Sequence, residues 1–398
     1  MNRLILVLNA GSSSIKFTVF RKSANPGKDD LLSDGQVSVI GGQAHFLARD
    51  ATNQPLVDKH LENHAGHETA LAAILQWMTQ QYAGQELYAA GHRVVHGGSR
   101  YSTPVLIDAA VMRELQRLVP LAPLHQPHHI AAIEALQRLH PALPQVACFD
   151  TAFHHAQTPL VTNYALPRAL SVEGIRRYGF HGLSYEYIAG ALPSIVGSEI
   201  SAGKVIVAHL GAGASMCAMQ NGRSVATTMG FTALDGLPMS RRCGALDPGV
   251  VLYLMQEKGL SADAISKMLY NESGLYGVSG GFSDDMQALL ASDDAFAAEA
   301  VDMFVYRIGR ELGSLAAAMG GMDALIFTAG IGEHSTEIRR RICLGAGWLG
   351  IELDADSNHH GDHCISTAQS MASAWIIPTN EDLMIARHTR QIMAGLRV

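Results

Sequence analysis

The sequence predicts an α/β fold built on an internal duplication, and three stretches carry that prediction. The first is Leu4 to Phe20, where Leu4, Ile5, Leu6, Val7 and Leu8 make a buried strand and Ile15 to Val19 alternates as a second one. Between them, Asn9-Ala10-Gly11-Ser12-Ser13-Ser14 forms a tip of small residues and hydroxyls. The second is Lys204 to Met219, in which a strand again enters a small-residue turn, Gly211-Ala212-Gly213-Ala214-Ser215, and leaves as a strand. The third is the strand Ala324 to Thr328, which ends in Ala329-Gly330-Ile331-Gly332-Glu333-His334-Ser335 ahead of an Arg-rich helix start. A strand, a glycine turn and a helix N-terminus in succession suit an anion or a nucleotide.

At 398 residues, 48% hydrophobic and 16% charged, the chain is long enough for two domains with full cores. A net charge of −7 without a long Lys/Arg run argues against a nucleic-acid surface or a basic membrane face, so an anionic ligand has to be met by local cations. Cys148, Cys217, Cys243, Cys343 and Cys364 are scattered without metal or redox spacing, which favours reduced thiols in a cytosol. The apolar run after Met1-Asn2-Arg3 is too short for a secretion signal, and no segment approaches bilayer-spanning length. The expectation is a cytoplasmic protein that binds neither nucleic acid nor membrane.

Along the chain, residues 21–66 read as polar, with a loop at Ser23 to Asp30 and strands within Gln36 to Leu47. Residues 67–83 have helical periodicity, with Leu71, Ile74, Leu75 and Met78 on one face. Ala89 to Gly98 is a short strand running into a glycine turn. It carries Arg93 between apolar neighbours, where an arginine needs a partner: a bound carboxylate or phosphate, or a structural salt bridge. Val119 to His129, rich in proline and histidine, reads as a rigid loop, and a helix follows from Ile130 to Leu139. Gln145 to Phe149 is a strand that delivers Asp150, and strand C-termini are where open α/β sheets place their sites.

Arg176 to Gly182 is dense in anion-contacting groups, and His181 there is either a core histidine with a carbonyl partner or a transition-state donor. Tyr185 to Leu192 reads as a helix and 194–203 as a solvent-facing linker. Thr227 to Pro248 is long and irregular, and at least one of Arg241 and Arg242 is expected to point into a site. Helices at Val250 to Lys258 and Asp263 to Tyr270 precede the glycine-rich Ser273 to Phe282. Asp294 to Ala318 is a long helix whose stripe of Ala298, Val301, Phe304, Val305, Ile308, Leu312 and Leu315 is core. Asn358 to Cys364 is a solvated polar loop or a zinc site. The strand Ala374 to Pro378 ends in Thr379-Asn380-Glu381-Asp382, and a helix over Leu383 to Leu396 closes the chain.

Three phosphate-type turns, the strand-end carboxylates Asp150 and Glu381, and the arginines Arg93 and Arg242 are the groups that phosphoryl transfer needs. Oxygen ligands hold a metal, cations neutralise the phosphoryl oxygens, and the acceptor is aligned in line. The sequence has no Walker-type glycine loop with its Lys-Ser/Thr, and its first glycine turn does not match the dinucleotide fingerprint, which disfavours a P-loop kinase or a dehydrogenase.

Leu8 to Lys16, His92-Arg93-Val94-Val95-His96-Gly97-Gly98, Asp150-Thr151-Ala152-Phe153-His154, Arg177-Tyr178-Gly179-Phe180-His181-Gly182 and Thr379-Asn380-Glu381, in that order, resemble the acetate kinase family, which includes propionate and butyrate kinases. The resemblance implies an α/β fold of duplicated ribonuclease-H-like domains, of the sugar kinase, Hsc70 and actin superfamily, with an interdomain cleft. It implies an N-terminal domain over 1–149, on which helix 383–398 packs, and a nucleotide-binding domain over 150–382. It implies ATP:carboxylate phosphotransfer that makes acetyl phosphate, with ATP/ADP as substrate, Mg²⁺ or Mn²⁺ as metal, and a homodimer.

By the same resemblance, Asn9 and Glu381 position the metal, while Ser12, Ser14 and Lys16 lie by the phosphates. Arg93 and Arg242 clamp the carboxylate and the migrating group, His181 donates to the transition state, and Asp150 is the essential carboxylate, orienting metal or water. His125 contacts the transferred group. The nucleotide spans His209, Leu210, Gly211, Ala212 and Gly213, then Asp285, Met286 and Gln287, then Gly330, Ile331, Gly332, Glu333 and His334.

The chain departs from the family pattern at Ala212, Gln287 and His334 around the nucleotide, at Leu183 and Tyr185 after His181, and at Arg241 and Ala245 around Arg242. The substrate pocket is implied at Val95, Leu124, Phe180 and Ala233, where Ala233 replaces the usual proline and widens the pocket. Propionate is then expected as a substrate within about tenfold of acetate, since a methylene is worth only about 1 to 3 kcal/mol. Competing readings are a propionate kinase, a non-catalytic nucleotide-binding paralogue, and a sugar or polyol kinase.

Overall fold

Residues 3–38, 44–61 and 66–395 are described by the computed structural model. The chain divides into two units, Met1–Ala152 with Asn380–Val398, and Phe153–Thr379. In the first, strands β1 (Arg3–Ala10), β2 (Ser14–Arg21), β3 (Leu31–Ser38), β4 (His45–Asp50), β5 (Pro55–His60), β6 (Glu86–Val94), β7 (Val105–Leu106) and β8 (Gln145–Phe149) form one sheet in the order β5-β4-β3-β2-β1-β6-β8-β7. In the second, β9 (Lys204–Leu210), β10 (Ala214–Gln220), β11 (Arg223–Thr227), β12 (Ala324–Thr328) and β13 (Ser373–Ile376) run in the order β11-β10-β9-β12-β13.

The duplication is visible in the ladders. β3-β2-β1 is antiparallel and β1-β6-β8 parallel. β11-β10-β9 and β9-β12-β13 repeat that pattern in the same order. Each hairpin closes tightly, with Gly11 N donating to Ser14 O at 2.8 Å and Gly211 N to Gly213 O at 3.2 Å. Strand interiors are apolar because both faces are covered: Leu4 to Leu8 and Val205 to Ala208 are all buried.

In the first unit the helix His67–Gln81 lays Leu71, Ile74, Leu75 and Met78 into the core formed with Phe17 and Phe46. The helix Glu381–Gly395 packs on β1, β6 and β8. It closes on β6 at Gly91, where a Cβ would lie 2.2 Å from Thr389 Oγ1. In the second unit Phe304, Ile308 and Leu312 of the helix Ala295–Met319 are buried against the sheet, whereas Ala298 and Val305 of the predicted stripe are exposed and half-buried.

Some local expectations fail. A helix spans Gln126–Leu139, four residues into the predicted loop, because Pro127 sits in its first turn, where no N–H is needed. A short helix at Ser198–Ala202 interrupts the predicted linker, and another at Ala355–His360 takes in the first three residues of the predicted loop. Among the described residues no group of three or more His, Cys, Asp or Glu is placed to hold a metal, so the zinc reading of 358–364 falls; Asn358 is instead a buried partner of Arg339. The expected strands within 36–47 are the ends of β3 and β4, residues 39–43 lying outside the described residues, as does Leu396. The units divide at 152/153 and 379/380 rather than at 149/150 and 382/383, and Asp150 and Thr151 stay with the first unit through Arg93 and Gly97. No helix among the described residues is long and apolar enough to cross a membrane.

Candidate functional site

In the first unit, polar groups gather at the C-terminal ends of parallel strands. Asn9 and Arg93 are next to last in β1 and β6, and Asp150 follows β8 directly. Asp150, its side chain 1% exposed, grips Arg93: Nη2 donates to Oδ2 at 2.7 Å and Nε lies 3.1 Å from both carboxylate oxygens. Arg93 Nη1 is 3.5 Å from Asn9 Oδ1. Burial works against the Arg93 charge, but Asp150, Glu381 and Asp382 more than offset it and raise its pKa. Arg93 therefore has a structural salt bridge, with Nη1 left toward Asn9.

Glu381 opens its helix beside Asp382, which accepts from Thr18 Oγ1 at 2.6 Å. Burial raises the Glu381 pKa and Asp382 adds to this, while Arg93 and Lys16 pull it down. Lys16 faces Asn9 across the hairpin register and is exposed, as is Ser12; Ser14 is half-buried. Val95 is buried, and its N–H donates to His129 Nδ1 at 3.1 Å, a contact with no signature in the sequence. Leu124 is 38% exposed, and His125 precedes the helix Gln126–Leu139.

In the second unit His181 adopts φ +58, a costly angle for a residue with a Cβ, at the start of the helix Gly182–Ile195. His154 steadies that bend: Nε2 donates to Phe180 O at 2.9 Å and Nδ1 is 2.8 Å from Ser224 Oγ. Phe180 itself is buried. His181 Nδ1 is 2.8 Å from Ser215 Oγ, and its ring stacks on His209 at 4.2 Å between centroids. Arg242 donates from Nη1 to Ala233 O at 2.6 Å. A Cβ on Gly213 would lie 2.7 Å from Arg242 Nη2 and 3.3 Å from His181 Nε2, so the guanidinium and the imidazole converge on that bare glycine. Arg241 takes no part; it pairs with Asp284 and lies over the Tyr276 ring.

Next to Gly213, a cavity of about 650 Å³ is lined by Gly211, Ala212, Asp285, Met286, Gln287, Gly330, Ile331 and His334. Of the expected nucleotide residues, His209, Leu210, Gly213, Gly332 and Glu333 do not line it. Glu333 is occupied: its Oε1 accepts from Ala329 N at 2.7 Å and Thr379 N at 3.3 Å, so the first N–H of the turn expected to suit an anion is spent internally. The glycine turn is a short helix, Ala329–His334.

The chain matches the acetokinase family model over residues 4–387. It belongs to the acetokinase family. An acetate kinase from Rhodopseudomonas palustris (strain ATCC BAA-98 / CGA009) is 56% identical over 399 residues, covering 100% of both chains. The crystal structure of a propionate kinase from Francisella tularensis subsp. tularensis SCHU S4 superposes with a TM-score of 0.91 at 35% identity, covering 98% of this chain and 100% of that one. The crystal structure of Porphyromonas gingivalis acetate kinase gives a TM-score of 0.87 at 34% identity over the same shares. Within this acetokinase, the departures Ala212, Gln287 and His334 all line the one cavity. Leu290, Ser335, Thr336 and Glu337 line it too and were missed; Leu290 lies one helical turn beyond Met286, the only trace it leaves in the sequence.

Proposed function

We propose that this acetokinase transfers the terminal phosphoryl group of ATP to acetate, reversibly, giving acetyl phosphate and ADP by direct in-line transfer. The observation that carries the reading is the convergence of Arg242 Nη2 and His181 Nε2 on Gly213, beside a cavity large enough for a nucleoside. Cationic and neutral donors aimed at one spot stabilise charge on a migrating phosphoryl group. A protein that only bound nucleotide would need neither, and relatives named acetate kinase point the same way. The acid needs no general base, because a carboxylate of reference pKa about 4 is already ionised at neutral pH.

In this reading Arg93, aimed by Asp150, holds the substrate carboxylate through Nη1. Asp150 serves the guanidinium and not a proton. By the family resemblance the acid is assigned to Val95 and Leu124 in the first unit and to Phe180 and Ala233 in the second, and the transferred group to His125. Ser12, Ser14 and Lys16 meet the phosphates.

Magnesium fits the donors present. Asn9 Oδ1 and the Glu381 carboxylate are hard oxygen ligands, and the half-buried Glu381–Asp382 pair, which disfavours its own negative charge, gains from a cation. Two protein ligands suit an ion that keeps water and phosphate as its others. Held by Asn9 and Glu381, it would supply positive charge that offsets the negative charge of the phosphates. A cytoplasmic homodimer completes the reading on family resemblance, and light scattering of the purified protein tests the dimer.

The reading predicts that acetate, MgATP and hydroxylamine yield acetohydroxamate. Propionate, admitted by the small Ala233, should give kcat/KM within about tenfold of acetate. Failure to trap any hydroxamate removes the reading; a strict preference for acetate removes only the role of Ala233.

A further inference from the structure

We propose that Ser215 and Tyr185 are positioning residues that fix the tautomer of His181, keeping Nδ1 as an acceptor and placing the proton on Nε2, the edge that meets the phosphoryl group. The proposal rests on the reading of His181 as a donor in phosphoryl transfer.

Ser215 Oγ stands between two partners, 2.5 Å from Tyr185 Oη and 2.8 Å from His181 Nδ1. Tyr185 and Ser215 are fully buried and His181 nearly so, so the polarity of the chain is set by the groups themselves rather than by bulk water. A phenol is a stronger donor than an alkyl hydroxyl and a poorer acceptor, because its lone pair is shared with the ring. Tyr185 therefore donates to Ser215. The single Ser215 proton is then left for His181 Nδ1, and a neutral imidazole that accepts at Nδ1 carries its hydrogen on Nε2. That nitrogen faces Gly213 beside Arg242 Nη2. The opposite polarity would turn a lone pair toward the phosphoryl oxygens and repel them.

The fold holds each member in place. Tyr185 is one helical turn from His181, its N–H donating to His181 O at 3.1 Å. Ser215 is set opposite His209 in the β9–β10 register, which brings the hydroxyl under the imidazole while His209 stacks on its face. His209 is itself restrained, with Nδ1 2.8 Å from Ser184 Oγ. The Tyr185 ring is fixed by His154, edge-on at 5.5 Å, and by Phe153 at 6.4 Å.

The test is long-range ¹H–¹⁵N correlation on the full chain labelled with ¹⁵N-histidine, at about pH 8 where an ordinary imidazole is neutral. The His181 signals are assigned by their loss in His181→Gln. The wild type should show the Nε2–H form. Tyr185→Phe and Ser215→Ala should give mixed tautomers and lower kcat by about ten- to a hundredfold, the usual cost of losing an outer-shell orienting partner. KM for acetate and ATP should stay within about twofold. An Nδ1–H form in the wild type overturns the proposal without any variant, as do two folded variants that keep both tautomer and kcat. Loss of the kinase reading would appear separately, as a wild type that forms no hydroxamate while its spectrum still reports the polarity.

Discussion

Gly213 shows how one missing side chain can define a site. Its backbone angle is one that any residue adopts, so alanine there brings no torsional strain, only a Cβ 2.7 Å from Arg242 Nη2. The guanidinium is the far end of a flexible chain and can swing away cheaply. Gly213→Ala should therefore leave the melting temperature within about 2 °C of wild type, since a few tenths of a kcal/mol moves it little. It should lower kcat by about a hundredfold, the cost of a misplacement of about 1 Å at a reacting group. Circular dichroism melts and the hydroxamate assay check both, and a fully active variant would remove Arg242 from the chemistry. Arg93 is the counter-example, a charge that the fold does not leave loose. Asp150 takes two of its nitrogens, so its direction is set before any substrate arrives.

Among the elements, the short helix Ala329–His334 lends Gly330, Ile331 and His334 to the cavity and depends on a neighbour for its own closure. Arg339, in the helix Thr336–Gly345 and only 1% exposed, donates to Gly332 O at 3.1 Å, Glu333 O at 2.7 Å, and Asn358 Oδ1 at 2.8 Å. These acceptors are all neutral, and burial lowers the Arg339 pKa. Arg339→Met would strand those carbonyls in the interior, costing about 3 kcal/mol. The denaturation midpoint should fall, and KM for ATP should rise about tenfold, or 1.4 kcal/mol, with KM for acetate unchanged. Equal changes in both constants would deny the helix its part in the cavity. Arg339 reads in the sequence only as one of three arginines in a row, because its burial depends on Asn358, nineteen residues away. Arg93 and Asp150 were legible for the opposite reason: apolar flanks and a strand end are local signals. The repeated hairpins were legible too, since strand, small turn and strand is a short-range pattern. The helices at 198–202 and 355–360 are too short to show a period, and the Ser215–His181 contact exists only once the β9–β10 register is set.

Across the whole molecule, acid acts on histidines that folding has made hard to protonate. Burial pushes His92, His96 and His154 down to about 4, from an ordinary 6.5. Each binds its proton more weakly folded than unfolded, so the stability it contributes is complete above about pH 6.5 and is lost as pH falls toward 4. A shift of that size corresponds to about 3 kcal/mol per histidine, felt in the unit that carries it. The raised carboxyls Glu381 and Asp382 act in the opposite sense, gaining from protonation. The fall between pH 6.5 and 5 therefore belongs to the histidines. His92 and His96 lie in the first unit with Trp77, and His154 in the second with Trp348 and Trp375. In a Trp77→Phe background, tryptophan fluorescence reports the second unit alone. Its urea midpoint should drop steadily from pH 7 to 5, and His154→Gln, whose amide can still donate to Phe180 O, should flatten that slope. An unchanged slope would mean that His154 is already protonated in the folded chain, which its donation to Phe180 O and contact with Ser224 allow only if Ser224 turns its proton elsewhere, toward Cys217.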